Sequence, residues 1–181
     1  MSETELSDSP PVHLLPYDDA WPVRFREEHA LLAQLVAPYL PGPIEHIGST
    51  AIPGLVAKPI IDIMVGVSTL AESLPLIPLL GELGYAYLPY KADVMHWFCK
   101  PSLAVRTYHL HAVPVGSPLW RDRLAFRDYL RDHPNVAAEY AALKRELAER
   151  HRLDREAYTD AKGPFVERVL ELARGHSRAA C

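Results

Sequence analysis

The chain has 181 residues, 49% of them hydrophobic and 23% charged, with a formal net charge of -4 and a pI of about 6.1. That balance fits one globular domain with a single core, and the missing basic excess argues against nucleic acid as a constitutive partner. Two cysteines, Cys99 and Cys181, make no disulfide framework, and no apolar stretch approaches the roughly 18 residues of a membrane span.

The elements follow in chain order. The first eleven residues, "MSETELSDSPP", are polar and acidic, read as a disordered tail, and lack the pattern of a signal peptide, so a reducing cytoplasm is the expected compartment. A single domain is expected over residues 12–176. "VHLLPYD" alternates weakly, as a short edge strand does. "DDAWPVRFREEHALLAQLVAPYL" places Trp21, Phe25, Leu32, Leu35, Val36 and Tyr39 at helical spacing, with Asp18 or Asp19 as cap and Pro22 in the first turn. "IEHI" and the β-branched run "KPIIDIMVGV" predict strands, the second a central one. "SLPLIPLLGELG" predicts a helix that Pro75 confines or kinks and Gly84 ends. "YAYLPY", "VMHWFCK" and "AVRTYHLHAVPV" predict three more strands, antiparallel because their connections are short. From Ser117 the pattern is helical: "SPLWRDRLAFRDYLR", "PNVAAEYAALKRELAERH" and "DREAYTDAKGPFVERVLELARGH", the last broken at Gly163-Pro164. The layout is α+β, a mixed β-sheet with flanking helices and a helical C-terminal third.

The stretch "IEHIGSTAIPGLVAKPIIDIMVG" carries the first chemistry. Five residues separate Gly48 from Gly54 and Leu55 follows, so the P-loop pattern fails, as do the nucleophile elbow and the dinucleotide fingerprint. One pattern fits, that of the polymerase-β-like nucleotidyltransferases: an apolar residue, Gly, Gly or Ser, a spacer, then Asp on a strand. Here Ile47-Gly48-Ser49 is followed by twelve residues and then Asp62. Small turn residues let backbone amides approach phosphates, and a strand carboxylate holds a charge-neutralising metal. Taken alone, a Gly-Ser pair is a tight turn, and Asp62 is the partner of a cation such as Lys58 or Arg106. Position 64, where a second metal carboxylate belongs, is Met64.

"RTYHLHAVPV" is the second constellation. On a strand, His109 and His111 project from one face, a geometry that suits a divalent metal, while an isolated pair of this kind is more often satisfied by carbonyls. In nucleotidyltransferase folds a third carboxylate comes from a later strand beside the Asp strand. His109 and His111 occupy that place in the layout, as metal ligands or as a general base. Arg106, on the same segment, is a candidate phosphate donor. Arg127 and Arg131 share a helix face, and Lys144 and Lys162 lie on later helices. Each reads individually as a solvated charge, although Lys162 precedes a helix restart whose free amides suit an anion. Trp97, Trp120 and Tyr158 are candidates for base stacking, although aromatics at these spacings are more often core.

Assembled, the blocks "PYDDAWPVRFREE", "IEHIGSTAIPGLVAKPIIDIMVGV", "YHLHAV", "GSPLWRDRLAFRDYLR", "YAALKRELA" and "AYTDAKGPFV" resemble the GrpB family, from about Val12 to Arg174. The resemblance implies a nucleotidyltransferase-like fold and makes Gly48, Ser49, Lys58, Asp62, His109, His111, Arg127 and Lys162 the signature residues. It also implies one acid rather than two at the metal site. Similar domains extend some dephospho-CoA kinases, which points to a nucleotide or a coenzyme A-related ligand. The expected function is transfer of a nucleoside monophosphate to a hydroxyl, with Mg, Mn or Zn as cofactor. The alternatives are a non-catalytic nucleotide- or coenzyme A-binding module and a His/Asp metal hydrolase.

Overall fold

Asp18 accepts the Ala20 amide at 2.8 Å and opens helix α1 (Ala20–Val36). In the computed structural model, which describes residues 11–36, 39 and 41–179, the chain continues through β1 (Ile44–Ile47), β2 (Ile61–Val67), α2 (Leu76–Glu82), β3 (Ala86–Leu88), β4 (His96–Pro101) and β5 (Arg106–Pro114). Helices α3 (Pro118–Asp132), α4 (Pro134–Arg150), α5 (Arg155–Asp160) and α6 (Gly163–Ala179) complete it. Residues 1–10 of the expected eleven-residue tail and Cys181 lie outside the described residues, as do parts of the chain just beyond α1. No helix of the described residues is long and apolar enough to cross a membrane.

The five strands form one mixed sheet in the order β1-β2-β5-β4-β3. The last three pair antiparallel, as their short connections predict, while β2 and β5 run parallel with Asp62 beside His109 and Met64 beside His111. A parallel pair needs a crossover, and α2 with β3 and β4 supplies it. "VHLLPYD" is not a strand. It contributes one bridge, Leu15 to Ala57, with reciprocal bonds of 2.8 and 3.0 Å. Pro16 has no N–H with which to extend a ladder.

Strand alternation sorts the side chains into two faces. Ile61, Ile63, Val65 and Val67 of β2, with Leu110, Ala112 and Phe98, bury against Trp21 and Leu32 of α1 and Leu76 and Leu80 of α2. The opposite face carries Asp62, His109 and His111 at one end and an apolar floor of Ile47, Met64, Val113, Trp97 and Cys99 under Trp120 of α3. Gly66 permits that approach, since a Cβ there meets Val115 Cγ2 at 2.7 Å and Trp120 Cη2 at 3.2 Å. Helices α3, α4 and α6 pack together over the loop that carries Ile52, Leu55 and Val56. Ser117 caps α3 through the Trp120 amide and Asp154 caps α5 through those of Glu156 and Ala157, each helix beginning where the sequence signals it. Helices α3, α4 and α6 therefore flank the polar end of the second face, where Asp62 and His109 stay partly exposed.

Candidate functional site

The turn between β1 and β2 fixes the site. Gly48 sits at φ 71, and a Cβ there falls on the Asp62 carboxylate, so both backbone conformation and proximity require glycine. The turn Ser49–Ala51 is then tied down from three sides. Thr50 Oγ1 donates to the Ile60 carbonyl at 3.2 Å and shares a 3.0 Å bond with His46 Nε2. Arg131 Nε donates to the Ala51 carbonyl at 2.9 Å. His46 stacks on Phe25 of α1, and burial pushes its imidazole down to about 4, so it stays neutral.

Beside the turn, Asp62 Oδ1 lies 3.0 Å from His109 Nδ1 and 3.7 Å from His111 Nε2. The first is a hydrogen bond and the second is beyond that reach. Burial raises the Asp62 carboxyl, and the two imidazoles together reverse the effect, holding it well below the usual carboxylate range. Burial and the nearby Arg123 guanidinium push His111 down to about 4 against the pull of Asp62. The Nε2 atoms of both histidines are buried without a hydrogen-bond partner. Ligand atoms of all three residues lie within 4.8 Å of one another. Two orphaned imidazole nitrogens beside an ionised carboxylate fit a divalent ion, and this donor set suits Mn, Zn or Fe better than Mg, which prefers oxygen.

The triad opens on a cavity of about 530 Å³ between the sheet and helices α3, α4 and α6. Lys58, Arg123, Lys144 and Lys162 all line it, against the acids Asp62 and Asp122. Asp122 also pairs with Arg174 at 3.1 Å, while Lys58, Arg123 and Lys162 have no carboxylate within ion-pair distance among the described residues. Lys162 Nζ stands 4.4 Å and Lys58 Nζ 5.3 Å from the centre of the buried Tyr158 ring. Burial, then repulsion from Lys58, brings Lys162 down to about 8. Lys144 is only 2% exposed, with Nζ 3.0 Å from Ser49 Oγ and also on the Val56 carbonyl. Burial, then the charges of Lys162, Arg145 and Lys58, bring it down to about 7. Several cations held close without counterions leave room for a multiply charged anion.

The structure brings together Gly48, Ser49, Lys58, Asp62, His109, His111 and Lys162, and separates Arg106 and Arg127 from them. Arg106 stacks on Trp97 at 5.3 Å and donates to the Leu103 carbonyl. Arg127 is buried in ion pairs with Glu45 at 2.6 Å and Asp128 at 2.7 Å, and also holds the His46 carbonyl. Asp62 pairs with histidines rather than with Lys58 or Arg106. Lys144 is not a solvated charge, Arg123 and Tyr140 join the cavity unforeseen, and Trp97 and Trp120 belong to the core. A signal for the missed residues exists in the helical pattern. Lys144 shares a stripe with Tyr140 and Leu147, and Arg123 one with Trp120 and Leu130, each a cation on a buried face.

The family model described as GrpB protein matches residues 11–172. A UPF0157 protein of Pseudomonas aeruginosa is 39% identical over 178 residues, covering 95% of this chain and 72% of that one. The glutamate-rich protein GrpB of Alkalihalophilus pseudofirmus is 35% identical across 88% of this chain and 94% of its own. A dephospho-CoA kinase of Mycolicibacterium paratuberculosis is 30% identical across 90% of this chain but only 46% of the kinase. Among solved structures, the conserved protein GrpB from Enterococcus faecalis superposes with a TM-score of 0.80 at 32% identity, covering 89% of this chain and 96% of that one. With its sequence matched almost throughout and its mixed sheet shared with a solved relative, the chain belongs to the GrpB family.

Proposed function

We propose that this protein is a metal-dependent nucleotidyltransferase, moving a nucleoside monophosphate from a nucleoside triphosphate to a hydroxyl. The observation that carries the reading is that Asp62, His109 and His111 open onto the same cavity as Lys58, Arg123 and Lys162, cations with no carboxylate of their own. Asp62, His109 and His111 would hold the divalent ion, which supplies charge neutralisation and Lewis acidity toward a phosphoryl oxygen. The chain's own groups do the rest. Lys58, Lys162 and Arg123 offset the charge of the triphosphate in a partly buried site, where such contacts are stronger than in bulk water. The Gly48 turn holds the phosphates against the triad. His109 and His111, engaged as ligands, are not free to take the acceptor's proton.

A second reading, a nucleotide- or coenzyme A-binding module without catalysis, draws on two observations. Met64 is fully buried where a second carboxylate belongs, and the likeness to dephospho-CoA kinases covers only part of those proteins. Thermal-shift measurements with NTPs, coenzyme A and dephospho-coenzyme A, each with Mg, Mn or Zn, separate the two on wild type and Asp62→Asn. The transferase reading expects NTP stabilisation that needs the metal and is lost in the variant, with pyrophosphate released on turnover. Stabilisation indifferent to metal and variant selects the binding module. No response to any nucleotide overturns both.

A further inference from the structure

The Ser49 hydroxyl differs from every other aliphatic hydroxyl lining the cavity. Thr50 Oγ1 is spent on the Ile60 carbonyl and His46, and Thr159 Oγ1 donates to the Arg155 carbonyl at 2.9 Å. Ser49 Oγ instead faces an amine, Lys144 Nζ, at 3.0 Å, and Tyr140 lines the same cavity. Lys144 arrives from α4 with its stem sealed in the core and Nζ 4.8 Å from the centre of the Tyr140 ring. Its Nζ is anchored on the Val56 carbonyl, and among the described residues no carboxylate pairs with it. A phosphate-binding serine offers a free hydroxyl, whereas this one is held by a buried amine. A hydroxyl so placed, with a buried amine in reach, has the parts of a serine nucleophile and its base.

We propose that Ser49 is itself the first acceptor of the nucleotidyl group, with Lys144 as its general base, so that transfer proceeds through a nucleotidyl-Ser49 enzyme. The proposal rests on the nucleotidyltransferase reading and supplies the acceptor that reading leaves open. Ser49 Oγ forms a bond to the α-phosphorus while the bond from that phosphorus to the oxygen bridging to the β-phosphate breaks. Pyrophosphate leaves with the bonding pair, and the hydroxyl proton passes to neutral Lys144 Nζ. Three features support the geometry. Ser49 follows the glycine that abuts Asp62, so the nucleophile lies beside the carboxylate of the triad. Lys58, Lys162 and Arg123 line the same cavity and offset the departing pyrophosphate. Burial among like charges favours the neutral amine that a base requires.

The test is intact-mass spectrometry of the full-length chain incubated with each of the four NTPs and Mn or Mg, followed by peptide mapping, with NTP-induced thermal shift measured in parallel. The expected result is a mass increase of one nucleoside monophosphate, mapped to Ser49 and absent in Ser49→Ala. Lys144→Met should form the adduct about 10²–10⁴-fold more slowly. Lys144→Arg should be equally slow, because it keeps the charge but cannot accept the proton. The retained thermal shift reports that each variant is folded and binds. An NTP that raises Tm without modifying the wild type overturns the proposal and leaves the nucleotide reading standing. An adduct on another residue, or on Ser49 at an unchanged rate in Lys144→Met, overturns the nucleophile or the base respectively. Neither adduct nor thermal shift with any NTP overturns the proposal together with the reading beneath it.

Discussion

Burying Lys144 and Lys162 with few counter-charges predicts an unusual pH dependence of stability. The perturbation is a change from pH 7 to pH 8. Lys144 falls from an ordinary 10.5 to about 7 and Lys162 to about 8 in the folded chain. The groups facing Lys144 are Lys58, Lys162, Arg145 and Tyr140, and none is a carboxylate. The unfolded chain keeps both protons across this interval while the folded chain sheds them. The unfolded state thus binds more protons, and stability rises with pH. The destabilisation is fully present below about pH 7 and is relieved as pH climbs toward 10.5. Integrating the proton difference gives on the order of 1 kcal/mol over this one unit, most of it from Lys144. His46 and His111, both pushed down to about 4, stay neutral when folded while their unfolded counterparts lose their last protons. They add a smaller increment of the same sign, for a total on the order of 1–2 kcal/mol.

Urea unfolding followed by tryptophan fluorescence measures this directly, because Trp21, Trp97 and Trp120 are all buried. The double variant Lys144→Met/Lys162→Met should keep only the smaller histidine contribution, a slope well under half that of the wild type. Saturating tripolyphosphate should flatten the wild-type slope in the same way, since a polyanion in the cavity restores the lysine protons. Stability that is flat or falling from pH 7 to pH 8 refutes the buried-lysine argument, as does a slope that survives the double substitution.

Three further predictions concern single positions. Arg127→Met leaves Glu45 and the His46 carbonyl without their partner and should cost about 2–3 kcal/mol in urea unfolding, with the Kd for NTP changed less than about twofold. Unchanged stability with weakened binding would place Arg127 in the site instead. Gly48→Ala forces a positive φ on a side chain and sets a methyl against the Asp62 carboxylate. It should cost about 1–3 kcal/mol and weaken Mn-dependent stabilisation, and a neutral result in both assays removes the turn from the site. Met64→Asp buries a carboxylate among Ile47, Trp97 and Val113. It should cost about 3 kcal/mol or more without creating a second metal site, and calorimetry showing two Mn per chain contradicts that.

Local physics made most of the architecture legible. Strand alternation, capping at Ser117 and the restart at Gly163-Pro164 each have short-range causes, and the structure follows them. "VHLLPYD" misled because alternation without a partner edge is only a pattern, and Pro16 ends its pairing. The site divides along the same line. Residues of the turn and of strands β2 and β5 were readable because register follows from period-two geometry. Cations on helices were not, because a helix offers several faces and burial depends on what docks against each. Arg127 and Arg123 are four residues apart on α3. One turns to Glu45 of β1, the other to the cavity, and only the packing of α3 on the sheet separates them.

The same register accounts for the single acid on β2. Parallel pairing sets His109 beside Asp62 and His111 beside Met64, all on one face. A carboxylate at 64 would lie under His111 in a floor where Ile47, Met64 and Val113 are fully buried, with no cation within that floor to pair with it. An imidazole reaching from the neighbouring strand brings a ligand nitrogen toward Asp62 without burying a charge, since His111 is held neutral by its surroundings. Substituting a neutral ligand for an acid also changes the cavity's balance. Four cations then face two acids, one of them already paired with Arg174, so the surplus positive charge is left for a ligand to neutralise. On the proposed reading, the methionine at 64, the histidines of β5 and the unpaired lysines fit one arrangement: a site with one metal-binding carboxylate, whose remaining negative charge would arrive with the molecule it binds.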